Sequence, residues 1–169
     1  GSKIDSPAYV QPKLDGVRCV AILEDGVCTL WTRSRKPITG VPHIARAIEQ
    51  QFSGMRWPDR AACLGYAYSK NSTVYTSRLV LDGELYQHEY KDKFEQIVSF
   101  VRQSEPKSGH EVVEYHVYDV VNAGATFRSR TDTLRRLNLQ GPLVTVTTTA
   151  TSLLWPTTEQ TTPMRLRSP

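Results

Sequence analysis

Cysteine is scarce in this chain. Only Cys19, Cys28 and Cys63 occur among 169 residues, an odd number with no Cys-x-x-Cys pair. That excludes a disulfide framework and argues against a zinc site, so reduced, buried thiols in an intracellular protein are expected. Long apolar runs are lacking as well. No stretch approaches the roughly twenty residues that span a bilayer, and no signal-peptide pattern opens the chain, so neither membrane association nor secretion is expected. Lysine stops at Lys107. Charge nearly vanishes towards the end: nine threonines lie between Thr145 and Thr162, with Glu159 as the one charged residue. Thr and Val suit one strand near Leu143 to Thr149, but Pro156 and Pro163 interrupt any strand beyond it. Residues 143–169 therefore read as a Thr-rich tail, poorly ordered or forming one edge strand, and foreign in character to the preceding chain.

What is present suits one soluble domain with a genuine core, placed at residues 3–142 behind a Gly1-Ser2 cloning remnant. Hydrophobic residues make up 39% and charged residues 22%, which is ordinary for a globular protein. The net charge of +4 and pI near 9.0 are compatible with a nucleic-acid partner. Basic residues cluster at Arg33, Arg35 and Lys36, and again at Arg128, Arg130, Arg135 and Arg136. Each cluster suits a solvated face equally well.

Val17 to Leu23 and Val27 to Thr32 read as strands around the turn Asp25-Gly26. Pro42 can open a helix with Ile44, Ile48 and Phe52 on one face. Trp57 to Arg78 shows no period and reads as a long loop or inserted hairpin. Leu79 to Leu81 is a short strand. Asp92 and Glu95 have capping-box spacing ahead of a stripe of Phe94, Ile97, Val98 and Val101, and that helix should end by Pro106. Glu111 to Val121 is the best strand, with Val113, Tyr115, Val117 and Asp119 on one face. A last helix is expected over Thr131 to Leu139.

The segment Lys13-Leu14-Asp15-Gly16-Val17-Arg18 packs an amine, a carboxylate, a glycine and a fixed positive charge into six residues. An amine is nucleophilic only when neutral, so a site that uses one must favour that form by desolvation or nearby positive charge. Strand alternation would point Lys13 and Asp15 to one face. Gly16 permits a bend or a close backbone approach, letting Arg18 turn towards a phosphate. An ordinary surface hairpin is the plain alternative.

Lys-x-Asp-Gly-x-Arg resembles motif I of the covalent nucleotidyltransferases: ATP-dependent DNA ligases, RNA ligases and RNA-capping enzymes. Four further segments resemble the same family in the same order, most nearly its small phage or viral DNA ligases. They are Thr32-Arg33-Ser34-Arg35-Lys36-Pro37, Asp82-Gly83-Glu84, the stripe from Phe94 to Arg102, and Tyr115 to Val121, with Phe127-Arg128-Ser129-Arg130 next at a helix start. The resemblance implies an α+β fold of antiparallel sheets with flanking helices, like the ATP-grasp-like ligase adenylation core. It implies that Lys13 attacks the α-phosphate of ATP with Mg2+, carries AMP, and passes it to nicked duplex DNA for sealing by a monomer. Asp15 and Arg18 would organise the lysine and phosphates, Glu84 would hold ribose or help hold metal, and Tyr118 would stack on the base. Gln11, where cellular ligases often have glutamate, would face the base edge. Arg33, with Arg35 and Lys36, would meet the DNA; Arg35 stands where the family has glycine.

The family's motif IV, with Glu-Gly, and motif V, ending Lys-x-Lys, are absent from this sequence. Two alternatives stay open: a truncated nucleotide- or nick-binding remnant without sealing activity, and an RNA ligase or capping guanylyltransferase.

Overall fold

Asp25 and Gly26 both take positive φ, 49° and 85°, which matches the twist of the flanking strands and sets a two-residue turn. Around it β2 (Val17–Glu24) pairs with β3 (Val27–Thr32), as the sequence predicts. This computed structural model describes residues 8–53, 78–122 and 124–151. The stretch read as a loop or inserted hairpin, apart from Arg78, lies outside the described residues, as does Cys63.

β4 (Arg78–Tyr86) runs antiparallel to β2, and β5 (Glu114–Val120) runs antiparallel to β4. β6 (Leu143–Thr145) completes a sheet of order β3-β2-β4-β5-β6. It lies parallel to β5, a departure from the expected antiparallel arrangement. The crossover between them contains helix α3 (Phe127–Leu137), the usual way to join parallel neighbours. A second sheet of two strands pairs β1 (Ala8–Val10) with β7 (Thr149–Thr151). The fold is α+β, as expected.

Residues 143–151 pack with the chain before them, and β6 is an edge strand of the main sheet. Leu143 and Val146 are buried, and β6 and β7 each occupy a place in a sheet. Their β-branched residues fit pleated strands, and what reads as foreign composition up to residue 151 is part of the fold.

Helix α1 (Pro42–Phe52) buries Ile44, Ile48 and Phe52, as its spacing predicts. Helix α2 (Phe94–Val101) starts from Lys93 with no side-chain cap, so Asp92 and Glu95 form no capping box. Helix α3 begins four residues before the expected start, because the Thr126 hydroxyl accepts the Ser129 N–H at 3.2 Å and caps it. It ends at Asn138, which sits at φ 46°. Residues 110–112 form a 3-10 turn rather than the start of β5.

One core joins Cys19, Ala21, Leu81, Leu85, Tyr115 and Val117 of the main sheet to Ile48, Ile97 and Leu134 of the three helices. The Tyr115 hydroxyl, fully buried, lies 3.0 Å from the carbonyls of both Cys19 and Leu81, tying β5 to β2 and β4. Burial holds the Cys19 and Cys28 thiols protonated, the latter pushed up to about 12. A bulge interrupts β5: Asp82 faces Asp119 but Gly83 faces Val117, leaving Tyr118 without a partner. Alternation flips there, so Val120 is buried and Asp119 half-exposed, the reverse of the expected faces.

Candidate nucleotide and DNA site

The segment carrying Lys13 and Asp15 precedes β2 and is not strand; both side chains are exposed. It is placed by contact rather than by alternation. A Cβ on Gly16 would lie 2.3 Å from the Leu85 carbonyl oxygen and 2.9 Å from the Glu84 Cγ. Only glycine lets this loop lie flat against β4, so its use here is close approach. Arg18, the first even position of β2, stands opposite Glu84.

The even positions of β2 and β4 share the face away from the core. There Arg18 grips Asp82 through two parallel bonds, Nε to Oδ1 at 3.1 Å and an Nη to Oδ2 at 2.6 Å. The Tyr118 hydroxyl donates to the same Oδ1 at 3.2 Å. The bulge turns Tyr118 onto this face, where it is half-buried. Burial, then the Asp82 charge, raises its hydroxyl well above the ordinary range and keeps it a donor. The Asp82 hydrogen bond and charge likewise raise the Arg18 guanidinium, which stays cationic.

Glu84 sits beside this pair. Burial raises its carboxyl above the usual range, opposed by the Gly16 N–H, by Arg18 and by Lys13. The carboxylate therefore lies within electrostatic reach of both motif I cations. Gln11 Nε2 donates to the Tyr118 carbonyl and to the Thr148 hydroxyl, both at 2.9 Å. Its amide oxygen has no partner among the described residues. Behind the face, Asp119 receives Arg130 Nε at 2.8 and 3.1 Å, fixing the start of α3 to the end of β5.

The turn after β3 is built from its own backbone. The Thr32 N–H donates to the Lys36 carbonyl at 2.8 Å, and the Lys36 N–H to the Thr32 hydroxyl at 3.0 Å. Arg35 sits at φ 62°, a left-handed conformation that favours glycine. Arg33 and Lys36 line a groove of about 1210 Å3 that also reaches Gly16 and Arg18. Arg35 instead lines a hollow of about 490 Å3 with Arg18, Arg78 and Trp31.

Gln11, Arg18, Glu84 and Tyr118 are thus gathered at one sheet face, with the Lys13 loop at its rim. Arg33 and Lys36 share a groove with Arg18, and Arg35 lines the neighbouring hollow, which Arg18 and Arg33 line as well. Asp82 and Thr148 escaped the sequence reading. The motif Asp-Gly-Glu carries Asp82 in view, but its partners are only apparent once Arg18 and Tyr118 share a face. Among the described residues no three His, Cys, Asp or Glu side chains are gathered for a metal. Glu84 is the carboxylate that would hold Mg2+ here, in the mode where one carboxylate and substrate phosphates share a largely hydrated ion. When bound, that ion would neutralise charge on the phosphates.

No protein-family model and no curated protein matches the chain. Solved structures do. Pmar-Lig_Pre. superposes with a TM-score of 0.63 at 18% identity, covering 89% of this chain and 33% of that one. A Lig E DNA ligase, described as binding DNA with a minimal scaffold, gives 0.53 at 22% identity, over 89% and 47%. The ligase domain of M. tuberculosis LigD gives 0.50 at 16%, over 89% and 42%. The chain spans between a third and a half of the length of these proteins, and it has their fold, that of the DNA ligase adenylation core.

Proposed function

We propose that this chain is the nucleotide-binding core of an ATP-dependent DNA ligase, which takes AMP onto Lys13 and delivers it to the 5′-phosphate of nicked duplex DNA. The observation that carries the reading is the packing of Gly16 against Glu84 and Leu85, which seats the Lys13 loop on the face bearing Arg18 and Tyr118. Neutral Lys13 attacks the α-phosphate and pyrophosphate leaves. Arg18, held rigid by Asp82, meets phosphate charge without reorganising. The Tyr118 ring offers a flat face to the base, fixed at its hydroxyl by Asp82 and at its carbonyl by Gln11. Gln11 keeps an amide oxygen to accept from the exocyclic amine of adenine. Glu84 accepts from ribose hydroxyls, and Asp15 orients the lysine loop. The groove carrying Arg33 and Lys36 takes the nicked strand.

A second reading is binding of nucleotide or nicks without sealing. Phosphoryl transfer rests on cationic neutralisation, and losing one such contact costs about a hundredfold to a thousandfold in comparable sites. Intact mass after incubation with Mg-ATP separates the two. A gain of about 329 Da, the composition of one AMP, that disappears in Lys13→Ala supports the enzyme. No gain from a folded chain overturns it and leaves the binding remnant. A gain from GTP instead of ATP points to a capping enzyme.

A further inference from the structure

The groove that holds Arg33 and Lys36 has another wall, formed by the C-terminal end of α2. Arg102 comes directly after the last turn of that helix, is exposed, and lines the same groove. Among the described residues four cations, Arg18, Arg33, Lys36 and Arg102, line it, and no acid does. Arg18 is paired with Asp82; the other three have no ion-pair partner among the described residues.

The position of this wall is fixed. The Thr39 hydroxyl lies 3.3 Å from the Gln103 carbonyl and 2.9 Å from that of Ser104. A Cβ on Gly40 would lie 2.2 Å from the Phe100 carbonyl oxygen, so the chain leaving the basic turn presses directly on α2. Arg102 therefore keeps its place relative to Arg33 and Lys36.

Unpaired cations around one groove repel each other, a cost that a polyanion removes. The end of a helix presents partial negative charge from its last carbonyls and would by itself repel phosphate. Arg102 reverses that sign at this point. A groove of about 1210 Å3 also exceeds what one phosphate fills, which suits a run of backbone.

We propose that the end of α2 is a second wall of a phosphodiester-binding groove, with Arg102 contacting a backbone phosphate of the bound duplex. This rests on the DNA-ligase reading above and adds a residue to it. The test is fluorescence anisotropy of the full chain with a nicked duplex, at salt from about 50 to 200 mM. Arg102→Gln should weaken binding roughly fivefold to tenfold at 0.1 M salt and make the slope of log affinity against log salt shallower by about one. Arg102→Lys should keep the slope. Arg33→Gln reports on the underlying reading, and Arg46→Gln on α1 reports on charge loss alone. Wild-type affinity and slope in Arg102→Gln, with Arg33→Gln weakened, overturn the second wall and spare the ligase reading. An equal fall in Arg46→Gln also overturns it, as a net-charge effect. A wild-type chain that binds nicked duplex without salt dependence, or not at all, overturns both.

Discussion

Leu81 and Asp82 are consecutive residues on β4, yet they belong to different parts of the molecule. Leu81 faces the core with Cys19, Ala21, Leu85 and Tyr115, and all are buried. Asp82 faces outward with Arg18, Glu84 and Tyr118. Strand alternation thus lets one stretch of chain hold the fold together and present charged groups side by side. Gly83 follows Asp82 and serves the buried face: a Cβ there would lie 2.5 Å from the His116 carbonyl oxygen and 2.7 Å from the Tyr115 ring. Substitutions one residue apart should therefore fail in different ways.

The sharpest separation comes from Lys13→Ala, which should abolish adenylation by intact mass while leaving the thermal midpoint unchanged, because Lys13 is exposed. Leu81→Ala should do the opposite. It should cost about 2–5 kcal/mol in denaturant unfolding, as buried leucine truncations do, and any folded fraction should still take AMP. Asp82→Asn should slow adenylation about tenfold to a hundredfold, equivalent to about 1.4–2.7 kcal/mol of barrier, with a small change in midpoint. An equal loss of stability in Leu81→Ala and Asp82→Asn would erase the distinction between faces.

Acid should also separate them. His43 packs edge-on to His110 and contacts the Val113 carbonyl through Nε2 at 2.8 Å. Burial lowers its pKa below the ordinary 6.5. The unfolded chain then binds the proton more readily, so stability falls as pH drops below 6.5, and His43→Gln should flatten that fall. Glu84 runs the other way. Its carboxyl is raised above 4.5 by burial, so its ionised form is disfavoured in the fold and the penalty is relieved as pH falls through the raised value. Glu84→Gln should therefore raise the neutral-pH midpoint slightly while impairing nucleotide binding. The smallest effect is expected at the basic turn. Arg35→Gly removes a side chain from a left-handed position and should gain under about 1 kcal/mol, since glycine's unfolded-state entropy offsets part of the relief.

Much of this arrangement is legible in the residues themselves. The Asp25-Gly26 turn, the stripe of α1 and the alternation of β2 each arise from local pattern. Arg18, Glu84 and Tyr118, each singled out in the sequence, lie on one face. Three features are not local. The bulge at Tyr118 shows in β5 only as one break in alternation, Asp119 falling on the parity of Tyr115 and Val117, which alone does not distinguish a bulge from a polar residue on the core face. The parallel placement of β6 depends on a crossover, and a three-residue strand does not announce its direction. Thr148 carries no signal of its own: its role depends on Gln11, 137 residues earlier.

The pairing of Ala8 with Thr151 has a kinetic consequence. The β1–β7 ladder and the Gln11–Thr148 bond close loops of nearly the whole described chain, the slowest kind of contact to form. The hairpin of β2 and β3 can assemble early from neighbours, while the segment just before Lys13 is secured only when residues 148–151 arrive. During synthesis the Lys13 loop is therefore made well before the residues that anchor it. Premature termination before residue 148 would leave the five-stranded sheet's first hairpin intact and the segment before Lys13 untethered on its upstream side.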